Sequence, residues 1–276
     1  HDHRATDYSA SLTRQLLGHA DLILGCSRFV ADAIALRFPE LGDRCSHVYN
    51  GVDEQFLRIG RGRQNWKQTV LFVGRLSPEK GVHTLIKAFC SVAEEFPKAT
   101  LQIVGPDEVA PLQFVDAKNQ DERFESLRKF YFKPSVYSQY IQDLVPKNLS
   151  NRIKFCGPIP NTALAPLFEA AGVFAFPSIW QEPFGMPVVE AMGCGLPVLA
   201  TNAGAFPETV EHSQTGLLVE PGDDTELASA LRRLLRSEDD RANMGRAGWQ
   251  RASSEFSWDT IAADLRSKYS STLESG

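Results

Sequence analysis

"TVLFVGRLSPEKGVHTLIKAFCSVAEEFPKATLQIVG", residues 69–105, changes its hydrophobic period twice. "TVLFVG" is a continuous apolar run, the pattern of a strand covered on both faces. Ser77 and Pro78 then open a helix in which Val82, Leu85, Ile86, Phe89, Ala93 and Phe96 recur at three-four spacing. "ATLQIVG" is apolar and strand-like again. Doubly apolar strands separated by amphipathic helices imply a parallel sheet with helices on both sides.

The same rhythm extends in both directions. Before it, "ADLILGCS" from Ala20 reads as a strand, "RFVADAIALRF" as a helix ending near Pro39, and "CSHVYN" as a strand running into the Asn50-Gly51 turn. After it come the strand "RIKFCG", a short helix from Leu164 to Ala170, the strand "VFAFPS", a helix near Pro187, the strand "PVLAT", a helix near Pro207 and the strand "GLLVE". Helices from Glu226 to Arg236, Asp239 to Ala252 and Ser257 to Tyr269 close the chain. The expected fold is α/β, an open, doubly wound, Rossmann-like parallel sheet. A closed eight-unit barrel fits worse, because strand spacing is uneven and the polar, glycine-containing stretch from Leu57 to Gln68 reads as a linker. Between 106 and 150 the rhythm breaks. That insertion reads either as a helix with a decorated loop, Phe130, Tyr131, Tyr137 and Tyr140 packing locally, or as a substrate-facing segment.

Composition excludes several classes. The 276 residues, 43% apolar and 23% charged, are those of an ordinary globular chain. A net charge of -5 argues against a general nucleic-acid binder. The five cysteines, at 26, 45, 90, 156 and 194, form no CxxC pair, which predicts buried thiols in a reducing compartment rather than a disulfide framework. No apolar run approaches the roughly 18 residues that a spanning helix needs. "HDHRATDYSA" is neither a signal peptide nor an initiating methionine, so the expectation is a chain cut from something longer.

In open parallel sheets ligands bind beyond the carboxyl ends of the strands, where helix N-termini present unpaired N–H groups. Four such ends stand out. In "VGRLSPEKG", Gly74 ends a strand, and Arg75 and Lys80, five apart across the turn, offer a fork and a point charge suited to a diphosphate; two incidental solvated cations are the alternative. "IVGPDE" is a second glycine-marked end. In "FCGPIP", Gly157 and Ile159 lie in a turn that presents main-chain groups to a planar base or is merely tight. In "IWQEPFGMPVVEAMGCGLPVLATNAGAFPE", residues 179–208, Pro183, Gly185 and Pro187 forbid one continuous helix, placing Glu182 in a loop and Glu190 in the first turn of the next helix. Phe184, Gly185 and Met186 between them offer backbone N–H groups to phosphate. Carboxylates in an anion-attracting site suit sugar and ribose hydroxyls; a simple cap or surface charge is the alternative for each glutamate. No GxGxxG opens the first unit and no GxxxxGK[ST] occurs.

"GRLSPEKG", "PSIWQEPFGMPVVEAMGCGLPVLATNAGAFPE" and "TGLLVEPGD" resemble the C-terminal nucleotide-binding domain of the retaining GT4 glycosyltransferases of the GT-B fold, over about Ala20 to Tyr269. The resemblance implies that Arg75 and Lys80 clamp the donor diphosphate, that Glu182 holds the transferred sugar, and that Phe184, Gly185 and Met186 contact sugar and phosphate. It further implies that Glu190 binds the ribose and that the turn near Gly157 and Ile159 meets the base. Residues 1–56 then look like the last units of an N-terminal acceptor domain otherwise missing here, 57–256 like the donor domain, and 257–276 like the helix returning toward the first. His1, or else His3, would be the remnant of the family's histidine at the tip of an N-domain strand.

The implied reaction moves a sugar with retention from a nucleoside diphosphate sugar, by family frequency a UDP-sugar, to a hydroxyl of a carbohydrate, lipid-linked or small-molecule acceptor. Glu182 would anchor the sugar rather than attack it, unlike the nucleophile of retaining glycosidases. With two cations at the diphosphate no metal or further cofactor is required, and no Asp-x-Asp stands near the site. A nucleotide-sugar 2-epimerase or a phosphorylase of similar fold, and a donor-binding module inert without a missing half or second chain, are the rivals. The expected location is cytoplasmic, with peripheral membrane contact left open.

Overall fold

Two parallel sheets organise the chain. The smaller pairs β1 (Ile23–Gly25) with β2 (Cys45–His47). The larger has the order β5-β4-β3-β6-β7-β8, all parallel, from β3 (Thr69–Val73), β4 (Thr100–Val104), β5 (Ile153–Gly157), β6 (Val173–Phe176), β7 (Val198–Thr201) and β8 (Gly216–Val219). The computed structural model describes residues 11–109, 127–132 and 134–275. The chain runs outward from β3 to β5, crosses back to lay β6 against β3, and runs outward again to β8. Strand order therefore reverses between β3 and β6, where an open α/β sheet leaves a crevice at its carboxyl edge. β6 and β7 are buried at every position, as strands covered on both faces require.

Among the described residues the helices include α1 (Arg28–Arg37), α2 (Glu54–Gly62), α3 (Val82–Val92), α4 (Arg128–Tyr131), α5 (Pro134–Asp143), α6 (Ala165–Ala170), α7 (Met186–Gly193), α8 (Phe206–Thr209), α9 (Asp224–Arg236), α10 (Glu238–Glu255) and α11 (Trp258–Ser275). The small sheet with α1 is seated on the large unit by specific bonds. Ser27 Oγ donates to Pro183 O at 2.6 Å, and the first N–H groups of α1, at Arg28 and Phe29, donate to the Glu208 carboxylate at 2.9 and 2.8 Å. Glu208 thus caps a helix that lies 180 residues earlier in sequence, satisfying donors that a helix N-terminus leaves open.

Four expectations are corrected. The stretch from Leu57 to Gln68 is no linker: α2 covers its first half, capped by Asp53 accepting from Gln55 N at 2.9 Å, with Phe56 and Leu57 buried. Of its two glycines Gly60 marks close packing, since a Cβ there would stand 2.3 Å from Gly193 O, whereas a Cβ on Gly62 would meet open space. The helix expected from Pro78 begins at Val82, after a tight 3-10 turn over Pro78–Lys80. Gly81 separates the two with φ +70, and a Cβ there would lie 1.9 Å from Pro177 O, so only glycine permits this approach. α7 starts at Met186, which puts Glu190 at its fifth position, just past the first turn. The cysteines are free as expected, but only Cys194 is fully buried and Cys156 is exposed.

Within the insertion, Phe130, Tyr137 and Tyr140 do pack on one another, with ring centroids 5.0–6.3 Å apart. Tyr131 behaves differently, as described below. Residues 110–126 of the same segment lie outside the described residues, as do His1 and His3.

Candidate active site

At the strand reversal, the turn after β3 meets the loop after β6. Lys80 Nζ lies 2.5 Å from Glu182 Oε1, and both side chains are almost wholly buried, at 11% and 5% exposure. The 3-10 turn brings Lys80 in from one strand end; Glu182 comes from the other, six residues past β6. Ser178 Oγ lies 2.7 Å from Glu182 Oε1 and 3.0 Å from Glu79 O, and its single proton can serve one of them at a time. Ile179 N donates to Glu79 O at 2.8 Å, stapling the two strand ends together. Lys80 Nζ also sits 5.1 Å from the Trp180 ring centroid and 5.6 Å from that of Phe176, within cation–π range. The Trp180 Nε1–H is buried and has no hydrogen-bond partner among the described residues.

Arg75 is half-exposed, with its guanidinium 3.6 Å from Glu79 Oε1. Gly74 N donates to Val104 O, and a Cβ at Gly74 would meet the rings of Phe176 and Phe72 at 3.1 and 3.2 Å, giving this glycine a packing role. Past Glu182, Gly185 takes φ +84 and no side chain caps the α7 N-terminus at Met186. Phe184 is buried, its ring 5.9 Å from Tyr49 and 6.0 Å from Phe256, so only its backbone is available for contact.

Glu190 belongs to a second cluster. Its Oε1 accepts from Asn161 Nδ2 at 3.1 Å, and Asn161 follows directly on the Gly157–Pro160 turn. Burial raises the Glu190 carboxyl above its ordinary value, opposed by the Asn161 hydrogen bond and reinforced by Asp53. Gly157, at φ +69, has open space where a side chain would begin, and Ile159 is half-buried against the core. The structure therefore joins Lys80 to Glu182 directly and places Glu190 beside the turn that holds Gly157 and Ile159. Arg75 reaches the first cluster through Glu79.

Sequence reasoning missed Glu79, Ser178 and Asn161. Asn161 carried a weak signal as an amide ending a proline turn already suspected of contacting a base. Ser178 and Glu79 carried none, because what reveals them is a contact with a segment distant in sequence: Ser178 meets the Glu79 main chain, and Glu79 meets Tyr131.

Chemically, the crevice offers buried cation and carboxylate side by side, an orphan indole donor and an uncapped helix start. The model of the family Glycosyl transferases group 1 matches residues 53–251, which includes every one of these groups. The chain belongs to this family. Among curated relatives of this group 1 member, the D-inositol 3-phosphate glycosyltransferase of Corynebacterium glutamicum is 28% identical over 94% of the chain and 59% of its own length. The spore coat protein SA of Bacillus subtilis is 27% identical over 90% of the chain and 64% of its own length. The chain thus spans about three fifths of the length of these relatives. Among solved structures, Anabaena Alr3699/HepE in complex with UDP and glucose superposes with a TM-score of 0.73 at 27% identity, covering 95% of this chain and 66% of its own. The open parallel sheet is accordingly that of the GT-B transferases. No helix among the described residues is long and apolar enough to cross a membrane.

Proposed function

We propose that this group 1 chain binds a nucleoside diphosphate sugar in the crevice between β3 and β6 and supplies the donor half of a retaining glycosyl transfer to an acceptor hydroxyl. The observation that carries the proposal is the buried Lys80–Glu182 pair at the strand reversal. A cation and a carboxylate that pair with each other can separate onto a ligand bearing both phosphate and hydroxyls. Lys80 and Arg75 then face the diphosphate, with the α7 N-terminus beside them. Charge grows on the leaving diphosphate as the glycosidic bond breaks, so these groups bind the transition state more strongly than the ground state. Glu182 accepts hydrogen bonds from the sugar, Glu190 from the ribose, and the Gly157–Ile159 turn lies against the base. The UDP-bound relative supports uracil as that base. In this reading residues 1–56 belong with the acceptor half and 57–256 with the donor half, although α2 runs across that boundary.

Titrating the chain calorimetrically with UDP-, GDP- and ADP-sugars, and then assaying transfer and donor hydrolysis, tests the proposal. Saturable binding supports the donor site; binding without turnover marks a donor module that needs a partner half. No binding to any of the three sinks the reading. Where turnover is measurable, Glu182→Gln lowers its rate at least about tenfold with donor affinity little changed, as a contact made mainly in the transition state requires. Unchanged activity would remove Glu182 from the site.

A further inference from the structure

Glu79 is the most completely buried carboxylate of the crevice, at 0% exposure. One of its oxygens, Oε2, accepts from the Ser77 hydroxyl and from Tyr131 OH, the latter at 2.8 Å. The other, Oε1, is buried without a hydrogen bond among the described residues and faces the Arg75 guanidinium at 3.6 Å. A buried carboxylate costs several kcal/mol unless paired, and the Ser77 and Tyr131 hydroxyls and the Arg75 guanidinium are the partners that hold this one behind Arg75. Arg75 keeps 40% of its side chain exposed and its outer face is available to a ligand. Tyr131 ends α4, in the segment between β4 and β5. Its hydroxyl is held well above the usual tyrosine range, chiefly by burial and secondly by the Glu79 charge, and so remains a proton donor.

We propose that Glu79, anchored by Ser77 and Tyr131, is the positioning residue that sets Arg75 for the diphosphate, and that α4 is through Tyr131 a working part of the donor site. This inference rests on the donor-site reading above and deepens it. It also bears on both readings of the insertion: Phe130, Tyr137 and Tyr140 pack locally, while Tyr131 bonds to Glu79. Arg75 makes the ligand contact and Glu79 and Tyr131 act only through it, so their contributions must disappear when Arg75 is gone.

A double-mutant cycle tests this. Calorimetric affinity for UDP is measured for the whole chain and for Tyr131→Phe, Glu79→Gln, Arg75→Gln and the two pairings with Arg75→Gln; GDP or ADP replaces UDP if the chain prefers it. Thermal melting fixes a titration temperature at which each variant is folded, and Glu79→Gln, which keeps the side chain's shape, serves if Tyr131→Phe melts too low. We expect each single change at 79 or 131 to weaken binding about threefold to tenfold, the worth of one hydrogen bond, and to have no further effect once Arg75 is glutamine. Effects that persist in the Arg75→Gln background, or no effect of the single changes while the wild-type chain binds UDP, overturn the inference and leave the donor site standing. Failure of the wild-type chain to bind any of the three nucleotides overturns the donor-site reading itself.

Discussion

The two ends of the β3–β6 junction both gather cations, and they use them differently. At the amino end a cavity of about 670 Å³ is lined by Arg58, Arg63, Lys67 and Glu169 among others. Arg63 there donates to four main-chain carbonyls, those of Cys194, Asn65, Ala171 and Phe168, and burial pulls its guanidinium down from the usual value. Arg58 is surface-exposed and paired with Glu54 at 3.3 Å. At the carboxyl end Lys80 and Arg75 face carboxylates instead. Carbonyls at element ends have no other role than to be satisfied, whereas a carboxylate beside a cation can be given hydroxyls while the cation takes phosphate. On the proposed reading room does not mark the donor site; a buried cation paired with a buried carboxylate does, as Lys80 is with Glu182.

The sharpest way to break that contrast is Lys80→Met. It leaves Glu182 buried without its cation, which predicts a loss of about 3–5 kcal/mol in urea unfolding and a roughly tenfold to hundredfold fall in UDP affinity, the worth of a charge-assisted bond. Arg63→Met at the other end should cost a comparable part of the stability, about 3 kcal/mol from several lost bonds, yet leave UDP affinity unchanged in the folded protein. A weakened affinity there would erase the distinction. Glu208→Ala should cost about 1–2 kcal/mol, the value of a helix cap, and hydrogen exchange should speed first at the amides of Arg28 and Phe29, which that carboxylate accepts from.

The smallest effect concerns Glu190. Its folded carboxyl keeps a proton to higher pH than the ordinary value of 4.5. Between those two values the folded state binds more protons than the unfolded one, so this group makes stability fall as pH rises through the window. Glu190→Gln should therefore gain stability relative to wild type near neutral pH, with the gain shrinking toward about pH 4. A constant difference across that range in urea unfolding would show that folding does not raise the carboxyl above its ordinary value.

Much of this was legible from sequence where one segment contains its own reason. The apolar run at 69–74 and the proline-marked helix start at 183–187 specify strands, turns and the separate placing of Glu182 and Glu190 without help from elsewhere. Failures came where the reason is a distant contact. The glycines of Leu57–Gln68 suggested a linker, but Gly60 is glycine because the Gly193 carbonyl comes that close. Lys80 and Glu182 looked like a phosphate clamp and a sugar anchor acting separately, and the structure shows them paired across 102 positions. Tyr131 looked like one more ring in an aromatic cluster. Its partner, Glu79, lies 52 positions away and is invisible to any local pattern.

The most direct test is a crystal structure of the chain with UDP-glucose, or with whichever nucleotide sugar it binds in solution. The account predicts the diphosphate at the carboxyl ends of β3 and β6, against Lys80, Arg75 and the N-terminus of α7, with the sugar on Glu182 and the ribose on Glu190. A diphosphate found instead in the amino-end cavity, against Arg58 and Lys67, would contradict it.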